Sequence, residues 1–350
     1  MCHLRFMGFR GTILTYAKET IFDAKTNTAH GLGIESEKNA KSKYCATIES
    51  WRKGALDTVE LLGDGDQLAL KLTGAGSRVT EAFAARQLPP QQMMDALKEI
   101  SQRCKDRGIR LLLDAESQHF QWGIFLAGLE LMRKFNRDGY ATIYNTYQAY
   151  LKSTPDTLAR HLDMANQEGF THGLKLVRGA YISSDERSLI HDTKSDTDNA
   201  FDSIAQGALK CHVGAYGAPD GKPFPSLNLF LASHNKHSVV TAHKLHHQRR
   251  KDGLPTVPVG FAQLQGMSDE VSFSLLQLKD EEQSQDASPQ VWKCSTWGTM
   301  GECVAYLLRR AVENRDAVSR TVDEYSALKA EAGRRLRSRV FGSRQPVASR

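Results

Sequence analysis

Eight short apolar stretches, each followed by a helical pattern, recur along the 350 residues of this chain. Thr12 to Tyr16, Leu68 to Thr73, Ile109 to Asp114, Ala141 to Asn145, Leu174 to Val177, Leu227 to Ala232, Val257 to Gln263 and Val291 to Cys294 read as strands. Aliphatic and β-branched residues concentrate there over runs too short for helices. Helical mixtures fill the intervals: Lys38 to Leu62, Asp95 to Arg107, Phe120 to Phe135, Thr154 to Gln167, Asn199 to His212, Lys236 to Arg250 and Asp269 to Leu278. An eighth follows Gly298, where Val304, Leu307, Leu308, Ala311 and Val312 recur at helical spacing. Pro89-Pro90 and Gly108 bracket the second helix, and a Ser/Thr-Pro step opens the fourth. Eight strand-then-helix units predict an α/β chain closed into a (β/α)8 TIM-like barrel. The expectation is a single domain over residues 1–330, with the last helix over the active site. A doubly wound sheet is the alternative, but no Gly-x-Gly-x-x-Gly follows any of the strands.

Composition matters mainly for what it excludes. With 40% hydrophobic and 25% charged residues, the chain can bury a full core. The net charge of +6 is accounted for by Arg334, Arg335, Arg337, Arg339, Arg344 and Arg350, which follow Gly333 with no acid among them. Residues 331–350 are therefore expected to form a basic, flexible tail, and the balanced body argues against nucleic acid as a partner. Six cysteines without a Cys-x-x-Cys fit a reducing compartment. The longest apolar stretch, Trp122 to Met132, contains Glu130 and is too short to span a bilayer. The N-terminal residues show neither a secretory apolar region nor an Arg/Ser-rich presequence, so targeting is absent or lies upstream of this start. His243 and His247 share a helix face within a histidine-rich stretch, but no carboxylate stands at matching spacing and no metal is expected. Cys303 falls on the apolar side of the last helix pattern and is expected to be an inert, buried thiol.

In a barrel of this kind, chemistry gathers where the strands end. Polar residues fall at those ends: Lys71 and Thr73, Asp114 and Glu116, Asn145 and Gln148, Arg178 to Tyr181, Ser233 to Asn235, and Gln263 with Gln265. On the last helix Arg309 and Arg310 are adjacent, and two guanidiniums suit a planar carboxylate held by paired hydrogen bonds. Glu313, four residues after Arg309, also permits an ordinary helical ion pair.

The segments LALKLTG, LLLDAE, YNTYQAYL, LKLVRGAY, LASHN, FAQLQGM and YLLRRAVEN, in this order and spacing, resemble the proline dehydrogenase family of fungal and mitochondrial type. The resemblance runs from about Gly8 to about Thr321, and LVRGAY together with YLLRRxxEN is its most specific part. It implies an FAD-dependent oxidation of L-proline to Δ1-pyrroline-5-carboxylate in proline catabolism, with electrons passed to a quinone. It further implies a mitochondrial location, otherwise a cytoplasmic one, and peripheral contact with a membrane. Position by position, it makes Arg309 and Arg310 the clamp on the substrate carboxylate and Lys71 a third cation beside it. Asp114 matches an active-site aspartate that braces the cations. Tyr181 packs on the substrate ring, and Lys175 stands near the flavin's reactive nitrogen. Gln148, Arg178, Gly179, Ala180, Ser233, His234 and Glu313 match positions that hold FAD, with Gly179 letting the backbone approach the cofactor.

Two departures stand out. Family members usually carry a tyrosine where this chain has Cys294, fifteen residues before Arg309. A small residue there makes 4-hydroxyproline an alternative substrate, unless Trp297 fills the gap. Family members also carry helices ahead of the first strand that this sequence does not show. A second class of function follows from both departures: a regulatory paralogue that binds FAD or proline but is catalytically impaired.

Overall fold

The computed structural model describes residues 2–31, 44–281, 288–313 and 318–341. A short helix α1 (Cys2–Phe6) precedes strand β1 (Gly11–Tyr16), and a hairpin of β2 (Thr20–Asp23) and β3 (Thr28–Gly31) follows. The alternation then begins with α2 (Ala46–Glu60), β4 (Gln67–Leu70), α3 (Ser77–Ala84) and α4 (Gln91–Asp106). It continues through β5 (Arg110–Leu113), α5 (Gln118–Phe135), β6 (Ile143–Gln148), α6 (Thr154–Glu168), β7 (His172–Val177) and α7 (Lys194–Leu209). The last units are β8 (Leu227–Ala232), α8 (Lys236–Lys251), β9 (Val259–Leu264), α9 (Asp269–Glu281), β10 (Val291–Trp297) and α10 (Met300–Glu313), with α11 (Val318–Phe341) behind them. Strands β1 and β4 to β10 close a parallel barrel in the order β1-β10-β9-β8-β7-β6-β5-β4. All eight strands expected from the sequence take part.

Alternation along each strand divides the side chains into two cores. Outward-facing Leu68, Leu70, Leu111, Leu113, Leu174, Leu176, Leu229 and Leu231 pack beneath the helices. Inward-facing Ile13, Ala69, Leu112, Tyr144, Phe230, Ala262 and Trp292 fill the barrel interior. Gly260 is required there, because a Cβ would stand 2.8 Å from the Phe230 ring and 2.9 Å from that of Trp292. At the floor Arg110 is stacked among rings, 5.5 Å from Tyr140 and 6.0 Å from both Tyr144 and Trp292. On the outside of β6, Tyr147 Oη lies 2.6 Å from His161 Nδ1 and 3.0 Å from His172 Nε2. All three side chains are buried, and His172 Nδ1 has no hydrogen-bond partner among the described residues.

Several expectations are corrected. Of the expected tail, residues 331–341 continue helix α11 as far as Phe341. Glu331 hydrogen-bonds Arg334 at 2.7 Å and Arg335 at 2.8 Å, three and four residues on, which suits one face of a helix. Residues 342–350 of that expected tail lie outside the described residues. So do positions 38–43 of the first expected helix, which is observed from Ala46. On α10 the apolar spacing was assigned to the wrong side: Val304 and Leu307 are exposed, Leu308 is 62% exposed, and Cys303 is only half-buried. This helix turns Tyr306 toward the protein instead, because it covers a polar barrel mouth rather than an apolar face. Trp297, at the end of β10, is 39% exposed.

Candidate active site

The same alternation that sends Ala69, Leu112, Gly173 and Trp292 inward places Lys71, Asp114, Lys175 and Cys294 two residues further on, at the barrel mouth. Lys175 Nζ donates to Asp114 Oδ1 at 2.5 Å, and Lys71 Nζ lies 3.4 Å from Asp114 Oδ2. Lys71 also donates to the Ala115 carbonyl at 3.3 Å and to Tyr181 Oη at 3.2 Å, and the Tyr181 hydroxyl donates to Glu19 Oε2 at 3.2 Å. Glu19 itself stands 3.6 Å from Lys71. Burial opposes charge at Lys71, but the oxygens of Tyr181, Asp114 and Glu19 outweigh it and hold the ammonium well above its ordinary pKa. Burial likewise opposes ionisation of Asp114, yet Lys175 and Lys71 hold its carboxyl well below the usual range. At neutral pH Lys71 and Asp114 are therefore held as a buried ion pair at the mouth.

Helix α10 lies across this cluster. A reciprocal capping box starts it: the Thr299 N–H donates to Glu302 Oε2 at 2.8 Å, and the Glu302 N–H donates to Thr299 Oγ1 at 3.4 Å. Glu302 also meets Tyr16 at the end of β1, whose hydroxyl is pushed up to about 12 by burial and by that carboxylate. One turn on, Tyr306 is buried and accepts a hydrogen bond from Arg310 Nη2 at 3.1 Å, and the Arg310 charge acts on Asp114 and Cys294. The Cys294 thiol lies 3.4 Å from Thr15 Oγ1, and burial raises its pKa. Arg309 and Glu313 lie on the same helix, but their side chains are outside the described residues.

A second group forms around the ends of β6 to β8. Gln148 is a clasp: its Nε2 donates to the Glu116 carbonyl at 3.3 Å and its Oε1 accepts the Ala180 N–H at 3.0 Å. Arg178 pairs with Asp198 at 2.8 Å, donates to the hydroxyls of Ser233 and Ser238, and lies 4.3 Å from the Phe201 ring centroid. His234 Nε2 accepts the Leu264 N–H at 3.2 Å. At Gly179 the backbone has φ +151°, and a Cβ would stand 2.5 Å from the Tyr150 ring, so the glycine is demanded by the protein's own packing.

The sequence profile described as proline dehydrogenase matches residues 12–323. The chain belongs to the proline dehydrogenase family. A probable mitochondrial proline dehydrogenase of Schizosaccharomyces pombe is 34% identical over 250 residues, covering 69% of this chain and 49% of its own. Bos taurus hydroxyproline dehydrogenase is 30% identical over 309 residues, covering 85% and 62%. This chain thus spans about half to two thirds of the length of these two relatives. Among solved structures, proline utilization A from Bdellovibrio bacteriovorus, inactivated by N-propargylglycine, superposes with a TM-score of 0.63 at 16% identity, over 89% of this chain and 31% of that one. That likeness is one of fold.

For this proline dehydrogenase family member, the strand ends bring together Lys71, Asp114, Lys175 and Tyr181 in direct contact, with Cys294 and Arg310 beside them. Gln148, Arg178, Ala180, Ser233 and His234 are drawn into the neighbouring group. Sequence reasoning missed Glu19 and Tyr306. Glu19 sits in a connection without periodicity, and only the fold carries it to Lys71. Tyr306 was legible in principle, being four residues before Arg310 on one helix face.

Proposed function

We propose that this protein is an FAD-dependent dehydrogenase that oxidises L-proline to Δ1-pyrroline-5-carboxylate and delivers the electrons to a quinone. The observation that carries the reading is the buried Lys71–Asp114–Lys175 cluster beneath Arg310, at the barrel mouth of a chain in this family. Arg310, Arg309 and Lys71 would hold the substrate carboxylate, three cations on one anion fixing the ring. Asp114 ties Lys71 to Lys175 and keeps both oriented before substrate arrives. Tyr181, held between Lys71 and Glu19, would pack on the ring with little freedom to move. Lys175 would face the redox centre, where a fixed cation favours a developing negative charge.

The residues present fit FAD. Arg178 with the hydroxyls of Ser233 and Ser238 offers a cation and short donors of the kind that suit a diphosphate. Gly179 is exposed and adjoins them, and Gln148, Ala180 and His234, with Glu313 from the family resemblance, would complete the set. Bound there, FAD supplies the hydride acceptor. The protein's part is to orient the ring carbon and to keep the cations dry.

A second reading is 4-hydroxyproline dehydrogenation, favoured by Cys294. Its small side chain would leave space beside the ring position, and the Thr15 hydroxyl at 3.4 Å offers a polar partner. Names of relatives include both activities. A mitochondrial site of action is supported by relatives named as mitochondrial. Delivery to quinone would require only peripheral membrane contact, and no helix among the described residues is long and apolar enough to cross a membrane.

The test is anaerobic titration of the purified protein with L-proline and then trans-4-hydroxy-L-proline while flavin absorbance is followed. Bleaching by proline is expected, and stronger bleaching by hydroxyproline would move the assignment to the second substrate. An oxidised spectrum unchanged by either would leave a binding-only paralogue, and failure to take up FAD would overturn the reading.

A further inference from the structure

Glu116 is 1% exposed and has no part in the reaction scheme above, yet it joins three strand ends. Its Oε1 accepts the N–H groups of Leu72 at 2.7 Å and Thr73 at 3.2 Å, the two residues directly after Lys71. Its Oε2 accepts the Thr73 hydroxyl, and its carbonyl accepts from Gln148. Thr73 in turn is locked to Thr20: Thr73 Oγ1 accepts the Thr20 N–H at 2.9 Å and lies 3.1 Å from the Thr20 carbonyl, while Thr20 Oγ1 donates to the Thr73 carbonyl at 3.2 Å. Thr20 directly follows Glu19, whose carboxylate meets Lys71 and Tyr181.

We propose that Glu116 is a positioning residue whose protonation state sets how Lys71 and Glu19 are presented, and with them the affinity of the barrel mouth for a carboxylate. The inference rests on the reading of Lys71 as part of a carboxylate site. The Thr73 hydroxyl has one proton and two acceptors within reach. When Glu116 is ionised, that proton goes to Oε2. When Glu116 is protonated, Oε2 donates to Thr73 Oγ1, and the Thr73 proton turns to the Thr20 carbonyl, next to Glu19. Loss of the Glu116 charge also removes a competitor for Lys71, so an anion binds more tightly.

The charged groups facing Glu116 among the described residues are Lys71, directly after β4, and Glu19 from the connection after β1; Thr73, Gln121 and Gln148 are its neutral neighbours. Burial pushes Glu116 up to about 7, with Lys71 and the Thr73 hydroxyl pulling down and Glu19 pushing up. The switch therefore falls within the working pH range.

The probe is cyclopentanecarboxylate, a ring carboxylate with no nitrogen to titrate or oxidise. Its binding to the FAD-loaded full chain is measured by calorimetry from about pH 6 to about pH 8.5, in buffers of different ionisation enthalpy. Expected is affinity that falls about tenfold across this range, with net proton uptake on binding near neutrality. Glu116→Gln, which keeps an acceptor for the two N–H groups, should give pH-independent affinity without proton uptake. Thr73→Val removes a hydrogen bond that favours the ionised form, so its transition should move to higher pH. A flat wild-type profile without proton uptake, or a transition that survives in Glu116→Gln, would overturn the proposal. If proline bleaches the flavin while the profile is flat, only this inference falls; if the probe binds at no pH, the carboxylate site falls with it.

Discussion

The two ends of the barrel solve the problem of a buried charge in different ways. At the floor Arg110 is met by the faces of Tyr140, Tyr144 and Trp292, whereas at the mouth Lys71 and Lys175 are met by Asp114 and Glu19. Rings satisfy a cation weakly and pack tightly, so the floor contributes stability and offers nothing to a ligand. Carboxylates satisfy it strongly, and on the reading proposed above each pair is one that an incoming anion would share. One strand alternation produces both ends; only the residue types at its two extremes differ.

The comparison can be broken by substitution at each end. Trp292→Ala should cost about 3–5 kcal/mol in urea unfolding, since it removes a large ring shared by the floor and the barrel core, while the KM of the folded fraction stays unchanged. A large rise in KM would show that floor and mouth are not independent. Lys71→Met should do the reverse in kinetics, lowering kcat/KM by roughly 100-fold or more, and it leaves Asp114 with Lys175 as its remaining lysine partner. Retained kcat/KM would remove Lys71 from the site.

Acid should also act on the outer wall of the barrel, away from both ends. Burial lowers His161 to about 4 and His172 to about 3, below the ordinary value of 6.5, so both are neutral in the folded protein. The unfolded chain gains protons first as pH falls. Stability from these rings is complete above about pH 6.5 and is lost as pH falls toward 4, by up to about 3 kcal/mol for a ring shifted this far. Thermal melts in which His161→Gln shows the same acid slope as the wild type would contradict this. The smallest effect is expected at Cys294: Cys294→Tyr should change the ratio of kcat/KM for proline over 4-hydroxyproline by about tenfold in favour of proline. An unchanged ratio would show that the space beside Cys294 is not used.

What the sequence disclosed follows from what repeats in it. The eight strands were legible because burial on both faces makes each a nearly continuous apolar run, and Lys71 and Asp114 because they sit where such a run stops, whereas Lys175 lies inside its run and was legible only through the family resemblance. The hairpin was not, since β3 is exposed throughout and carries no apolar signal. The orientation of α10 was misread because Val304, Leu307 and Leu308 have helical spacing on whichever side faces solvent. Glu19 and the Thr20–Thr73 lock could not be read, because their partners lie more than fifty positions away and meet only when the barrel closes.

The Tyr147 cluster fixes more than packing. Its hydroxyl carries one proton and stands between two ring nitrogens, so one imidazole must receive and the other must give. His172 Nδ1 has no hydrogen-bond partner among the described residues, and a bare lone pair is cheaper to bury than an unbonded N–H, so His172 gives its Nε2 proton to Tyr147. Tyr147 then passes its own to His161 Nδ1. Both rings are Nε2–H tautomers, a single frozen proton order along the outer wall of the barrel that nitrogen chemical shifts would report directly.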